Sequence, residues 1–316
     1  MKILFNAGSE YKDGHQINLD FSQFENGKNN LLYAYGIDAG YRMIRPDKNQ
    51  FKSTVYFEGE EPNGFVNGQL PHERGNWELD YWTKILHTCP YTAAWENAIY
   101  DTDKFELTNT IHNEKLMFEN EKIYDVCYIG STGYDKGYSI HHHITDVIKK
   151  FPKYRFISRD PLPHVTDKSV SHIDKLKINS QCKISVCTSL LHIPHPYFVK
   201  QQADNIKKMP HWEMNEAFKM IDYGFMPQIK GRVTEAGATK SLVLLLKDEW
   251  NVVEYFYKPN EHFIYFDGLN TLEDTIKDCL NNWSYCEKII DNMYNYVKDN
   301  YVTERFYQRH LKHYDI

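Results

Sequence analysis

Short apolar runs alternate along the chain with stretches in which apolar residues recur at helical spacing. Each run predicts a buried strand, because a strand covered on both faces is apolar at successive positions. In the first half the pattern predicts strands at 2–6, 41–44, 53–57 and 84–86, and helices at 30–36 and 91–100. Strands that alternate with helices indicate parallel pairing and an α/β fold.

The same alternation starts again after a polar stretch at 108–122, which we take as a domain boundary. Strands are predicted at 125–131, 155–158, 183–187, 242–246 and 263–266. Helices are predicted at 140–150, 172–178, 215–221, 232–238, 271–281 and 287–301. Two successive α/β units predict twin Rossmann-like domains, which bind ligands at the carboxyl ends of their strands. The cleft between two such domains is then the expected site.

The composition of the chain narrows the classes of function. The 316 residues are 41% hydrophobic and 25% charged, as in an ordinary globular protein with a sizeable core. The net charge of −6 gives no general basic field that would attract nucleic acid. The six cysteines form no CxxC pair, which favours reduced thiols in the cytosol. No apolar window is long enough to span a membrane, and the N-terminal apolar run is too short for a signal peptide. We therefore expect a soluble, cytoplasmic protein.

The most informative chemistry lies between residues 227 and 266. Lys230 and Arg232 precede a carboxylate, Glu235, which is followed by a small-residue turn and a fully apolar strand. We assign the two cations to a diphosphate, because arginine can hold two phosphate oxygens and lysine supplies a point charge. Glu235 would accept hydrogen bonds from ribose hydroxyls. The segment therefore predicts a nucleotide-sugar site. The alternatives are a solvated basic turn and an internal pair between Glu235 and Arg232 at i,i+3 spacing.

Other polar residues follow predicted strands. Gly130 and Ser131 end the strand at 125–131, where backbone amides would approach phosphate, although a strand-ending glycine often only turns the chain. Glu254 follows the strand at 242–246, where it would reach the sugar or the ribose, or lie exposed on a helix. The histidines at 141–143 point in three directions on a helix, so they cannot together bind one metal ion.

Several groups of residues have a recognisable spacing: Lys230-x-Arg232-x-x-Glu235, Asp248-x-x-Asn251-x-x-Glu254, Lys258-Pro-Asn-Glu261 and Tyr301-x-Thr303-x-x-Phe306. Through these motifs, residues 125–310 resemble a GT-B glycosyltransferase. Within that fold they resemble the group related to the spore-coat protein CgeB and its phage-borne relatives. The first half is matched only weakly, through 60–63 and 88–92.

The resemblance implies two Rossmann-like domains facing across a cleft: an acceptor domain at 1–120 and a donor domain at 121–300, with a C-terminal helix at 301–316 crossing back to the first. It implies transfer of a hexose or pentose from a nucleoside-diphosphate sugar, such as a UDP-sugar, to a glycan, a small molecule or a modified DNA base. A DNA acceptor is less favoured, because many acids dilute the basic residues of 1–120. A phage-encoded chain would act in the host cytoplasm.

The resemblance also implies that no metal and no cofactor take part. Asp101 and Asp103 match the DxD metal motif of the other glycosyltransferase fold, GT-A, but they follow a helix rather than a strand. We interpret them as loop residues. Thr188 and Ser189 follow the strand at 183–187, where GT-B enzymes hold the nucleotide base.

The sequence does not single out one set of catalytic residues. Many retaining relatives carry two glutamates eight residues apart; Glu235 matches the second, but the first position is occupied by Pro227. His15, in the loop after the first strand, competes with Glu60 and Glu61 as the acceptor base, the glutamates serving an inverting mechanism. The missing first glutamate makes a non-catalytic nucleotide- or sugar-binding GT-B relative the alternative. An oxidoreductase is disfavoured, because no GxGxxG follows the predicted strands.

Overall fold

The computed structural model describes residues 2–5, 9–10, 30–34, 47–58, 79–130, 140–192, 204, 207–208, 212–214 and 225–312. Contacts divide the chain into two compact units. Unit 1 comprises Met1–Ile111, Leu190–Ile229 and Thr303–Ile316, and unit 2 comprises His112–Ser189 and Lys230–Val302. The segment Leu190–Ile229 thus belongs with the N-terminal residues, although it lies in the second half of the sequence. The domain limits predicted above stay a prediction.

The strands are β1 (Lys2–Phe5), β2 (Ser9–Glu10), β3 (Asn30–Ala34), β4 (Ser53–Glu58), β5 (Lys84–His87), β6 (Phe105–Leu107), β7 (Tyr124–Ile129), β8 (Tyr154–Ser158), β9 (Asp167–Lys168), β10 (Cys182–Cys187), β11 (Leu190–His192), β12 (Phe225–Pro227), β13 (Leu242–Leu246) and β14 (Ile264–Phe266). The helices are α1 (Pro90–Tyr100), α2 (Ile140–Ile148), α3 (His172–Ser180), α4 (Gly231–Ala238), α5 (Leu272–Asn281), α6 (Trp283–Asn300) and α7 (Thr303–Phe306). Short 3₁₀ turns occur at Lys48–Gln50, Glu114–Leu116, Trp212–Met214, Val252–Tyr255 and Leu269–Thr271, and a π turn at Tyr307–Leu311.

Unit 1 contains a sheet with the strand order β2-β1-β3-β4-β5-β6, and a two-stranded antiparallel ribbon of β11 and β12. All pairs in the larger sheet are parallel except β1 with β2. Trp82 and Ile85 lie in a buried cluster with Tyr56 of β4 and Phe105 of β6. A second cluster packs Phe306 and the side chains that follow α7 against β4 and β5.

One predicted helix in unit 1 is wrong. Residues 30–36 were expected to be helical, but Asn30–Ala34 forms β3, which pairs in parallel with both β1 and β4. The short apolar run fits either structure, and its place between two strands decides for the strand. The strands at 53–57 and 84–86 and the helix at 91–100 are confirmed. The predicted strand at 41–44 and helix at 215–221 lie outside the described residues.

Unit 2 contains a six-stranded sheet with the order β14-β13-β10-β7-β8-β9, parallel throughout. Its strands lie where the apolar runs predict, apart from β9, which has two residues and no apolar run. From β7 the chain moves outward to β8 and β9, and from β10 it moves the other way to β13 and β14. Right-handed crossovers in opposite directions place helices on both faces of a sheet. Accordingly, α2 packs with α5, and α4 packs with both α3 and α6.

The core of unit 2 is built on β13, in which all five residues, Leu242–Leu246, are buried. Helix α4 lies beside this strand and buries Val233 and the small residues Ala236, Gly237 and Ala238. The small side chains let α6 approach closely, since Met293 and Val297 of α6 contact α4 at Gly237. Within the described part of the chain, no helix combines the length and the apolar character needed to cross a membrane.

Candidate functional site

The strand order of unit 2 reverses between β7 and β10, which are paired neighbours in its sheet. In open α/β sheets such a reversal leaves a crevice at the carboxyl ends of the two strands, where ligands bind. Gly130 follows β7, and Thr188 and Ser189 follow β10. The fold therefore brings these three predicted site residues to one edge of one sheet. Helices α3 and α4 begin at the same edge, because each leads into the start of the next parallel strand.

Gly130 is required for packing. A Cβ atom at this position would lie 2.6 Å from Cε1 and 2.9 Å from Cζ of Tyr128, which is fully buried. The Gly130 N–H donates to the carbonyl of Ile157 at 3.0 Å, so this amide already has a partner in the sheet. A backbone donor to phosphate in this loop would therefore have to come from beyond Gly130. Ser131, the other residue predicted here, lies outside the described residues.

The Tyr128 hydroxyl lies between two polar side chains that sequence reasoning did not connect. It forms a hydrogen bond with Nδ1 of His141 on α2, and the Arg232 guanidinium of α4 lies close enough to influence its pKa. Burial raises the pKa of Tyr128, and the nearby Arg232 guanidinium opposes that rise. Tyr128 thus places a buried hydroxyl near Arg232 at the carboxyl edge of the sheet.

Helix α4 starts immediately after Lys230, and Arg232 lies in its first turn. Both side chains are partly exposed, and among the described residues no side chain caps the helix at Lys230. The carbonyl of Arg232 accepts a weak bond from the buried Cys187 thiol at 3.8 Å, which fixes the turn against β10. The first N–H groups of a helix attract anions, and here a guanidinium stands beside them. The edge can therefore hold a phosphate group.

Glu235 lies one turn further along α4, and its partner differs from the one considered from sequence. Both carboxylate oxygens accept hydrogen bonds from the Lys175 ammonium of α3, at 2.7 and 2.8 Å, rather than from Arg232. The His172 ring is 4.0 Å away. Burial alone would raise the pKa of Glu235, but Lys175 and the two nearby histidines, His172 and His112, bring it down to about 2. Glu235 is therefore an ionised carboxylate with 16% of its side chain exposed.

The loops after β10 and β13 are tied together at the same edge. The Ser189 hydroxyl donates to Oδ2 of Asp248 at 2.8 Å. The other oxygen of Asp248 accepts from the N–H groups of Trp250 and Asn251, at 2.9 and 2.8 Å. Thr188 and Ser189 are both buried. The Ser189 hydroxyl thus organises the loop, and a ligand at this point would meet mainly its backbone.

Glu254 lies in the turn Val252–Tyr255 after β13. Its carboxylate accepts a hydrogen bond from the Tyr265 hydroxyl of β14 at 2.9 Å. Burial and this carboxylate raise the pKa of Tyr265, so its hydroxyl stays protonated and keeps donating. Glu254 is thus an exposed acid of fixed orientation beside the candidate site.

The remaining predicted residues divide into two groups. His15, Glu60 and Glu61 lie outside the described residues. Asp101 ends α1 with a left-handed φ of 49°, and Asp103 follows in a loop, as expected. In the described ranges, no three or more His, Cys, Asp or Glu side chains are grouped so that they could hold a metal ion.

Comparisons with known proteins bear on the fold. No family model matches the sequence, and no curated protein matches it. The structure is similar to HepE from Anabaena in complex with UDP-glucose, with a TM-score of 0.57, 9% identity and 98% of each chain covered. It is also similar to sucrose-phosphate synthase from Thermosynechococcus elongatus, with a TM-score of 0.53, 14% identity, and 90% of this chain and 73% of the synthase covered.

A third similar structure is S. aureus TarM in complex with fondaparinux, alpha-GlcNAc-glycerol and UDP. The TM-score is 0.54 at 10% identity, and the match covers 98% of this chain but 60% of TarM. These neighbours are GT-B glycosyltransferases, whose fold has two Rossmann-like domains. The predicted α/β GT-B fold is therefore confirmed. At such low identities the likeness concerns the fold, and the chemistry rests on the residues of this chain.

Proposed function

We propose that the protein is a glycosyltransferase that moves a sugar from a nucleoside-diphosphate sugar to an acceptor, with the donor bound by unit 2. One observation carries the proposal: α4 places a guanidinium, Arg232, and an ionised carboxylate, Glu235, one turn apart at the carboxyl edge of the sheet. A cation for phosphate and an anion for a diol match the two polar parts of a nucleoside diphosphate. The neighbouring structures named with UDP or UDP-glucose support a uridine nucleotide as the first candidate.

In the reaction, the bond between the anomeric carbon and the β-phosphate oxygen breaks, and the acceptor oxygen bonds to that carbon. The nucleoside diphosphate leaves with the bonding electrons, so negative charge grows on its phosphate. Arg232, which lies near the Tyr128 hydroxyl, and Lys230 stabilise this charge together with the first amides of α4. The acceptor proton passes to a base, for which His15, Glu60 and Glu61 remain our candidates.

The other residues have binding roles in this proposal. Glu235 accepts hydrogen bonds from the ribose hydroxyls, and the loop at Thr188 and Ser189 lies against the base. Glu254, oriented by Tyr265, contacts the donor sugar or the ribose. No metal takes part, because the cations of the protein neutralise the diphosphate.

The finer assignments follow the sequence resemblance. We propose that the protein belongs near the CgeB-like and phage-borne enzymes and transfers a hexose or a pentose. A glycan or small molecule is the first acceptor, and a modified DNA base the second. We place the protein in the cytoplasm, or in the host cytoplasm if a phage encodes it. Its six cysteines are free and buried, which fits a reducing compartment.

A thermal-shift screen against UDP, GDP, CDP, ADP and dTDP tests the donor site. Because a ligand that binds the native state stabilises it by mass action, one nucleotide should raise the midpoint by a few degrees at about 100 times its Kd. Arg232→Ala should abolish the shift. Arg305→Ala, which removes an exposed arginine of α7, should retain it. A shift that persists in Arg232→Ala would contradict the site.

The alternative function is a nucleotide- or sugar-binding protein without transferase activity. Pro227, at the position of the first glutamate of many retaining enzymes, favours it. Hydrolysis of the nucleotide sugar separates the two functions, because a transferase slowly passes its sugar to water. Nucleotide binding without hydrolysis, and without transfer to any acceptor, would support the binding protein.

A further inference from the structure

Lys175 and Glu235 form a pair that joins two helices at the candidate site. The Lys175 ammonium donates to both oxygens of the Glu235 carboxylate, at 2.7 and 2.8 Å. The two side chains are 19% and 16% exposed, so each loses most of its contact with water. Lys175 lies on the first turn of α3, and 60 residues separate it from Glu235.

Lys175 dominates the charge around Glu235. Two histidines also face the carboxylate, His172 on α3 and His112 before β7. Burial, followed by the charge of Lys175, lowers the pKa of His172 to about 4, and burial lowers the pKa of His112. Both rings are therefore neutral at pH 7. The helix α6, which packs on the other side of α4, faces it with the uncharged Met293 and Val297. Arg232 also lies one turn before Glu235 on α4, but it is the Lys175 ammonium that hydrogen-bonds the carboxylate.

The pair leaves Glu235 able to bind a diol. A carboxylate has about four acceptor positions, two on each oxygen. Lys175 takes one position on each oxygen, so one remains on each. The 2′ and 3′ hydroxyls of a ribose are two donors on adjacent carbons, and they match two acceptors on one carboxylate.

We propose that Lys175 is a positioning residue that holds Glu235 oriented and ionised, so that the site selects a ribonucleotide by its pair of hydroxyls. The role rests on the proposed donor site and adds the residue that determines its selectivity for ribose. Lys175 acts through Glu235 and need not touch the nucleotide. Without Lys175, burial would favour the protonated acid, which accepts hydrogen bonds poorly.

The test compares UDP with 2′,3′-dideoxyuridine diphosphate by isothermal titration calorimetry between pH 5 and 8. The proteins are the wild type, Lys175→Met and, as a matched control, Lys177→Met. Lys177 lies on the same helix, is 54% exposed and is 3.9 Å from Asp174. The wild type and Lys177→Met should bind UDP at least about tenfold more tightly than the dideoxy nucleotide, since hydrogen bonds to a charged group are strong. The ratio of the two affinities should be flat with pH, because Glu235 stays ionised and the titration of the terminal phosphate, with a pKa of about 6, is common to both nucleotides.

In Lys175→Met, the affinity for UDP at pH 7 should fall about tenfold, while the affinity for the dideoxy nucleotide stays the same. The ratio of the UDP affinity to the dideoxy affinity should now rise with pH, because the higher pKa of Glu235 makes its ionisation pH-dependent in this range. Lys175→Gln, which keeps donors without charge, should show the same pH dependence and serves if Lys175→Met does not fold. Lys175→Arg should restore the flat profile.

Either of two results would overturn this role and leave the donor site in place. Equal losses for UDP and the dideoxy nucleotide would show that Lys175 supports only the fold of the site. Unchanged UDP binding in Lys175→Met would show that Glu235 needs no partner. A wild type that binds neither nucleotide, while Arg232→Ala behaves identically, would instead reject the donor site and the role of Lys175 with it.

Discussion

The substitution Gly237→Ala sets two known effects against each other in the helix that carries the candidate site. Gly237 lies near the end of α4 and faces α6. A Cβ atom there would lie 2.7 Å from Cγ and 2.9 Å from Cε of Met293, and 3.1 Å from Cγ2 of Val297. Cγ is an inner atom of a fully buried side chain, so rotation of the methionine tip alone cannot relieve this contact.

The magnitudes predict which effect dominates. Replacing glycine by alanine inside a helix stabilises that helix by about 0.8–1.0 kcal/mol. Inserting a methyl group into a packed core costs about 1–3 kcal/mol. The net expectation for Gly237→Ala is therefore a loss of about 1 kcal/mol in the free energy of unfolding. Because α4 also carries Arg232 and Glu235, nucleotide binding should weaken as α4 is pushed from α6.

Urea denaturation measures the change in the free energy of unfolding. A double-mutant cycle with Met293→Ala tests whether the contact with Met293 causes that change. Met293→Ala alone should cost about 2–5 kcal/mol, because it leaves a cavity beside Gly237. With that cavity present, only the 3.1 Å contact with Cγ2 of Val297 remains, so Gly237→Ala should become stabilising by up to about 0.5–1 kcal/mol through the helix preference. If Gly237→Ala stabilises the protein with Met293 in place, the close approach of α4 and α6 is refuted.

Two further predictions concern the site edge and the opposite end of the same sheet. Gly130→Ala would bring a methyl group to 2.6 Å from the Tyr128 ring, so we expect a loss of about 1–3 kcal/mol in urea denaturation; an unchanged midpoint would contradict this packing. The Lys122 ammonium donates to the carbonyls of Ser180 and Thr239, at 2.6 and 3.4 Å, where α3 and α4 end. Burial lowers the pKa of Lys122 to about 8, below the value of about 10.4 in the unfolded chain. Between these two pH values the unfolded chain binds more protons than the folded one. The free energy of unfolding should therefore rise with pH in this range, by at most about 1.4 kcal/mol per pH unit. Lys122→Met should lose that rise, and equal pH slopes in variant and wild type would reject the assignment.

The local pattern of apolar and polar residues was sufficient to predict much of the fold. The run at 242–246 is apolar at every position and is the fully buried β13, and Arg232 and Glu235 were correctly placed on one helix. The pattern failed for strands of only a few residues. β6 has three residues and β9 has two, too few to show a period, and the apolar run of β3 fits a helix as well as a strand.

The candidate site shows a different limit. Glu235 was identified from its own neighbours in sequence, but its partner Lys175 lies on another helix and precedes it by 60 residues. In the sequence, Tyr128 is simply one of the largely apolar residues of β7. Only the fold shows that its hydroxyl lies near Arg232. Sequence spacing reports contacts within a helix or a strand. Pairs between elements depend on the order of strands in the sheet, which no single motif records.

The division of the chain into segments bears on how the protein is synthesised. The chain leaves one unit for the other after residues 111, 189, 229 and 302, so neither unit is a continuous stretch of sequence. Phe306 and Leu311 are buried against Val55 and Leu86 in the core of unit 1. A ribosome therefore releases β4 and β5 more than 200 residues before the side chains that cover them. The core of unit 1 therefore stays incompletely packed during translation. Its packing is completed only when the segment after residue 302 leaves the ribosome.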